Sequence, residues 1–253
     1  MAAALATLVF CAPGYPGGSG DAQPLLDQFA AAAVTASGWP AGSLAAVYDP
    51  SEQGGLAKLK QTDAVLAFVP YPFFVEHAAE LRLTPLAQAD VTDIGPQQRW
   101  TLVAKSGRVT DPKSMAGYTI LSVAGYAPDF VRHSALPDWP LPPDVKIEAV
   151  GQILSALRRA AVGEPVAVLL DQTQAAALPS LPFAGELKTL AQSPDLPVAL
   201  IAVIDGRVPA DRAKLLQAGL LKLSHASGGA DSLAPLRLRG FVPPKLPSST
   251  AGQ

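Results

Sequence analysis

The chain has 253 residues, a formal net charge of −2, 49% hydrophobic residues and a single cysteine. Its length exceeds the usual single-domain size of about 100 to 150 residues, so two lobes are expected. The near-neutral charge argues against nucleic acid and anionic membrane as partners. One cysteine excludes an internal disulfide, and no run reaches the roughly 18 apolar residues of a membrane span.

The first predicted unit is a strand over Leu5–Ala12, a glycine-rich loop over Pro13–Asp21 and a helix over Pro24–Thr35. Cys11, in an apolar run with no histidine nearby in sequence, reads as a buried thiol rather than a nucleophile. Bulky Phe10 before it makes a poor lipoprotein site, and the start Met1–Ala4 lacks the positive n-region of a secretory signal. A strand near Ser43–Tyr48, a short helix around Gly54–Lys60 and a β-rich run over Ala64–Val69 follow. Such alternation predicts a parallel sheet. Phe73–Leu81 reads as a helix and Leu83–Ala89 as a strand, and polar Asp90–Gln98 reads as a crossing segment at a lobe boundary.

The second unit opens with a strand at Trp100–Val103 and an exposed connection. Asp111-Pro112 gives a helix start, which Gly117 stops before a strand over Thr119–Val123. The loop Ala124–Asp129 leads into a helix over Pro128–Ser134, and a proline-rich connection leads to a strand over Val145–Ala149. Gly151–Val162 is an amphipathic helix, and all-apolar Val166–Leu170 is a buried parallel strand ending at Asp171, before a helix over Thr173–Ala177. Val198–Ile204 is read as a long apolar strand and the candidate return crossing, Pro209–Leu223 as a helix with Asp211 in its first turn, and Leu246–Gln253 as a disordered tail. The pairs Arg158-Arg159 and Arg237/Arg239 read as solvated faces.

Four segments carry a family resemblance: the opening strand with its glycine-rich loop; Thr62–Ala67 before Tyr71; Trp100–Val123 with Met115-Ala116-Gly117-Tyr118; and Leu154–Asp171. In that order, over roughly residues 5–243, the chain resembles the type II periplasmic solute-binding proteins, and among them the phosphonate-binding-like subunits of ABC transporters. The resemblance implies an α/β fold, a two-lobed clamshell with two crossing strands. Lobe one would comprise residues 1–97 plus 203–245 and lobe two residues 98–202. It also implies a periplasmic location with the signal peptide removed, a small-molecule ligand, a membrane transporter permease as partner, and action as a monomer without cofactor.

Ligands of open α/β sheets bind beyond the carboxyl ends of the strands, where loops meet helix starts. The loops that would fill that place are Val69–Phe74 and Val123–Pro128. They lack the hydroxyl cluster with which phosphate binders hold an oxyanion and the arginine with which amino-acid binders hold a carboxylate. Tyr15, Tyr71, Phe73, Trp100 and Tyr126 are therefore the expected ligand contacts, with hydrogen bonds from Ser19 and Asp171. An uncharged or amphiphilic ligand follows, a lipid such as a sterol being one candidate and a phosphonate or phosphate oxyanion the alternative. Each residue has a structural reading too: lobe packing for Tyr71 and Tyr126, core for one of Phe73 and Phe74, a hinge plug for Trp100, a helix cap for Asp171 and a flexible loop for Ser19. His77, His133 and His225 stand apart without zinc-ligand spacing, so no metal is expected. The other function classes are an enzyme on the same fold, resembling menaquinone-pathway or thiamine-pyrimidine enzymes, and a ligand sensor. The enzyme would have only Asp171 and the tyrosines as candidate bases.

Overall fold

The computed structural model describes residues 6–14 and 19–247, the side chains of 19–21 excepted. The chain clusters into two compact units, one of residues 1–12, 16–97 and 196–253 and one of 13–15 and 98–195. The chain begins with β1 (Ala6–Cys11), α1 (Ser19–Ser37), β2 (Leu44–Asp49), α2 (Glu52–Leu59), β3 (Ala64–Pro70), α3 (Tyr71–Leu81) and β4 (Leu83–Val91). Short β5 (Gln97–Gln98) precedes β6 (Thr101–Lys105), β7 (Thr119–Ser122), β8 (Lys146–Ala149), α4 (Ile153–Ala161), β9 (Val166–Leu170), α5 (Gln172–Ala177) and β10 (Leu187–Gln192). After β11 (Leu196–Pro197) come β12 (Ala199–Ile204), α6 (Ala210–Lys222), α7 (Gly229–Leu233) and β13 (Leu238–Val242).

The first unit is built on a six-stranded sheet in the order β13-β4-β12-β3-β1-β2. β1 lies between two parallel neighbours. Covered on both faces, it is buried from Thr7 to Cys11, which explains its apolar run from Leu8 to Cys11. The sheet is not wholly parallel: β12 runs antiparallel to both β3 and β4, and β13 antiparallel to β4. Val198–Ile204 is thus the long apolar strand expected there, and the chain re-enters the first unit just before it, at Leu196. β12 is a central strand, buried from Leu200 to Ile204, and its apolar run reflects neighbours on both sides. On one face, Phe10, Phe29, Phe68 and Phe241 form a ring cluster, with Phe10–Phe29 centroids 5.5 Å apart and Phe68–Phe241 5.9 Å apart. α1 and α6 cross closely: a Cβ on Gly219 would lie 2.7 Å from the Ser37 amide nitrogen.

Local rules set some of the helix ends. Ser51 caps α2 by accepting from the Gly54 amide at 3.1 Å. α1 begins at Ser19, five residues before the expected Pro24 start, with Pro24 inside the helix. A proline there removes one i→i−4 bond while its own φ remains helical. α7 follows Gly228, whose φ of +71° turns the chain into it.

The second unit carries a five-stranded sheet in the order β10-β6-β9-β7-β8. β9, β7 and β8 are mutually parallel, whereas β6 runs antiparallel to β9 and to β10. β10 has no counterpart in the sequence reading. Its residues are exposed or half-buried, so it lacks the apolar run that marks β9. α4 presents Ala156, Leu157 and Ala160 to a core of Val103, Leu121, Val168 and Leu170, and leaves Arg158 and Arg159 outside. The segment after Asp111 is one turn of 3-10 helix, Pro112–Met115, closed by a capping box between Asp111 and Ser114. The helix expected over Pro128–Ser134 is a short π-helix, Phe130–Ala135.

Among the described residues no helix is long and apolar enough to cross a membrane.

Candidate functional site

In the second unit, Thr101 pairs with Leu170 while Ser122 pairs with Ala149, and β7 lies parallel to β9. The start of β6 and the ends of β7, β8 and β9 therefore lie at one end of the sheet. That brings Trp100, the Val123–Pro128 loop and Asp171 to the same edge.

Asp171 is a helix cap. Its carboxylate accepts from the Gln174 amide at 2.8 Å, and the Gln174 side chain accepts from the Asp171 amide at 3.1 Å. Burial pushes its pKa up, against the opposing pull of the Gln174 and Thr173 amides. Trp100 is 1% exposed, its ring edge-on to Phe130 at 5.2 Å. Its backbone is locked to Ser193: the Trp100 amide donates to Ser193 Oγ at 2.8 Å, and the Ser193 amide to Trp100 O at 2.9 Å. Its Nε1 is buried without a hydrogen-bond partner. Tyr126 is half-buried in the loop.

Sequence reasoning misses Ser122, the last residue of β7 and fully buried. Its hydroxyl donates to Leu169 O at 2.9 Å and accepts from the Ala124 amide at 3.1 Å. The Gly125 amide then bonds Ser122 O at 3.1 Å, and the Ala127 amide bonds Ala124 O at 3.0 Å. Pro128 has no N–H. The loop thus closes on itself, and Gly125 lets it approach β8: a Cβ there would lie 2.1 Å from Glu148 O. A small polar residue ending an apolar strand is the signal that could have found it.

In the first unit, the ends of β1, β2 and β3 lead to Pro13, Ser51 and Tyr71. Tyr71 opens α3, its amide donates to Val198 O at 3.1 Å, and its ring stacks on Phe74 at 6.3 Å. Burial pushes its phenol pKa up. Phe73 is 0% exposed and packs on the His77 ring at 4.6 Å, so it belongs to the packing of its own unit, as Trp100 does. Phe74 is buried as well. Tyr15 and the Ser19 side chain lie outside the described residues.

Cys11 sits at the end of β1, its thiol directed at Ser51 O at 3.5 Å. Burial first, then the Asp49 and Glu52 carboxylates, push its pKa up to about 12, which Lys58 only partly offsets. A thiol so held is not a nucleophile at neutral pH. His77, which the sequence leaves without a partner, contacts Glu52 at 2.9 Å and Glu80 at 3.8 Å. Glu52 is 25 residues away, so spacing gives no hint of it. Among the described residues no group of three or more histidine, cysteine, aspartate or glutamate side chains could hold a metal ion.

The fold matches solved structures across nearly the whole chain. A Xanthomonas citri protein bound to ATP superimposes with a TM-score of 0.66 at 13% identity, over 95% of this chain and 92% of that one. The chain has the α/β fold of type II periplasmic binding proteins. The binding component of an ABC phosphonate transporter from Pseudomonas aeruginosa matches this fold with a TM-score of 0.59 at 13% identity, over 95% of this chain and 82% of the other. PhnD1 of Prochlorococcus marinus, in complex with methylphosphonate, gives 0.55 at 13% identity over 94% and 93%. No protein-family model and no curated protein matches the sequence. The solved proteins whose names state a role are binding proteins rather than enzymes. Their two-lobed periplasmic-binding fold is thus the level at which this chain and they agree.

Proposed function

We propose that the chain is a solute-binding protein that captures a small uncharged or amphiphilic ligand and hands it to a membrane transporter in the periplasm. Capture would use the closure of two hinged lobes that the family resemblance implies. Tyr71, Tyr126 and Asp171, which carry hydrogen-bonding groups and retain some exposure, are the proposed contacts, whereas Phe73 and Trp100, 0% and 1% exposed, are built into the packing of their own units.

The observation that carries the ligand class is the self-closed loop after β7. An oxyanion site needs free amides or hydroxyls. Here the amides of Ala124, Gly125 and Ala127 and the hydroxyl of Ser122 are engaged within the loop and its sheet. Beside them, the α5 amide that could face an anion is held by the Asp171 carboxylate. A negative cap repels an incoming negative ligand, and neither loop offers a compensating cation.

The test is to purify the protein natively, denature it and identify the released small molecule by mass spectrometry. A lipid or other uncharged compound is the expected result. Retention of an inorganic anion, or saturable binding of methylphosphonate or phosphate, would overturn the ligand assignment.

A further inference from the structure

At the other end of the first unit's sheet, where β1 and β3 begin, the turn after β12 and the first turn of α6 enclose a cavity of about 360 Å³. This lies within the size range of small-molecule sites, about 300 to 1,000 Å³. Its walls include Arg207, Arg212, Thr62, Asp63, Trp39 and Val208.

The charges in this wall are not mutually neutralised. Arg207 Nη1 donates to three backbone carbonyls, Leu59 at 3.0 Å, Gln61 at 2.5 Å and Ala64 at 2.6 Å. Sharing its two N–H groups among three carbonyls, Nη1 is fixed in place, and the carbonyl dipoles offset the guanidinium charge only in part, with no carboxylate pairing it. Arg212 is exposed, and its backbone carbonyl accepts from Trp39 Nε1 at 3.2 Å, which ties the indole to the start of α6. Asp63 is turned to another partner, accepting from Thr7 Oγ1 at 2.7 Å. The arginines that pair with carboxylates in the described residues are Arg99, Arg159, Arg237 and Arg239, and neither cavity arginine is among them. Two guanidinium groups against one carboxylate leave this wall net positive in a chain of net charge −2. One cation is immobilised by its carbonyls, the other is free to turn inward, and an indole and Val208 supply an apolar side.

We infer that this cavity is a second binding site, for a small organic anion with an apolar body. Its carboxylate or phosphate would face Arg212 and the N–H groups of Arg207 other than Nη1, and Thr62 would add a hydroxyl. The site is independent of the transported ligand, because it is formed at the strand starts rather than at the strand ends.

Benzoate is the probe, titrated calorimetrically into the purified full chain in low-salt buffer. Saturable binding is expected, weakening as sodium chloride is raised. Arg212→Gln should weaken it about tenfold, the loss of one charge-assisted hydrogen bond, and Arg212→Lys should restore part of it. Tyr126→Ala, a change in the proposed transport site, should leave it unaltered. Absence of saturable benzoate binding, an Arg212→Gln affinity equal to that of the parent, or loss of binding in Tyr126→Ala would each overturn the assignment. None of these outcomes depends on which ligand the transport site retains.

Discussion

Two buried titratable side chains behave oppositely to what their chemistry suggests in isolation, and both can be measured. Cys11 is 0% exposed and its pKa is raised to about 12. A thiol-specific reagent at neutral pH should therefore leave the native protein unmodified and label it stoichiometrically once denatured. The pH dependence has a definite sign. With a folded pKa above the unfolded value of about 8.5, the folded state binds more protons between the two, so stability is lost as pH rises through that window. Cys11→Ala should flatten the alkaline side of a denaturant-midpoint profile. Asp171 is raised as well, so its charged form opposes folding above the unfolded aspartate pKa of about 3.9 even though it caps α5. Asp171→Asn keeps an acceptor for the Gln174 amide and removes the charge. Its stability relative to the parent should improve as pH rises from about 4 toward neutrality; Asp171→Ala should follow the same trend, because it sheds the same charge, but lie about 1 kcal/mol below Asp171→Asn at both ends of that range through the lost cap. Urea melts of both variants at pH 4 and pH 7 separate the two effects.

Glycines make the tightest contacts between elements. Gly55 in α2 lies against the end of β1, where an added Cβ would stand 2.0 Å from Cys11 Sγ and 2.7 Å from Cys11 Cβ. Overpacking of this kind typically costs about 1–3 kcal/mol. Gly55→Ala should lower the denaturation midpoint by that order, and Cys11→Ala in the same chain should recover only part of it, because the Cβ clash remains. Gly125→Ala tests the loop after β7, since the obstacle at 2.1 Å is the Glu148 backbone carbonyl, which has no rotamer to escape into. Destabilisation should be accompanied by loss of retained ligand. By contrast, Gly107 lies in an exposed turn with a φ of +76°, and an added Cβ there would meet nothing within 4 Å, so Gly107→Ala should carry only the modest backbone strain of that turn.

For the molecule as a whole, the proposed transport ligand and the proposed anion site predict opposite responses to salt. Capture of an uncharged or amphiphilic compound by aromatic and apolar contacts should change less than about twofold between low and high sodium chloride, whereas benzoate binding at the Arg207–Arg212 cavity should weaken. Competition between benzoate and the retained ligand should be absent.

Much of this architecture is legible from local pattern. The unbroken apolar runs of β1, β3 and β9, the Asp111-Pro112 start with its Gly117 stop, and the charged faces of α4 follow from side-chain periodicity and φ preferences, which act over a few residues. The capping reading of Asp171 is equally local, because cap and helix are adjacent in sequence. Pairing is not legible. An apolar run states that a strand is covered on both sides but not by whom, so Val198–Ile204 reads as a strand without announcing that β12 lies mid-sheet between antiparallel β3 and β4. β10 escapes notice because a half-exposed edge strand carries no hydrophobic signature. At the candidate site, the burial of Trp100 against Phe130, the engagement of the Ser122 hydroxyl and the Glu52–His77 contact depend on residues tens of positions apart. Local sequence sets which conformations each segment can adopt at low energy; only folding decides which surfaces meet, because contact burial and hydrogen-bond partnership are properties of pairs that the chain brings together from a distance.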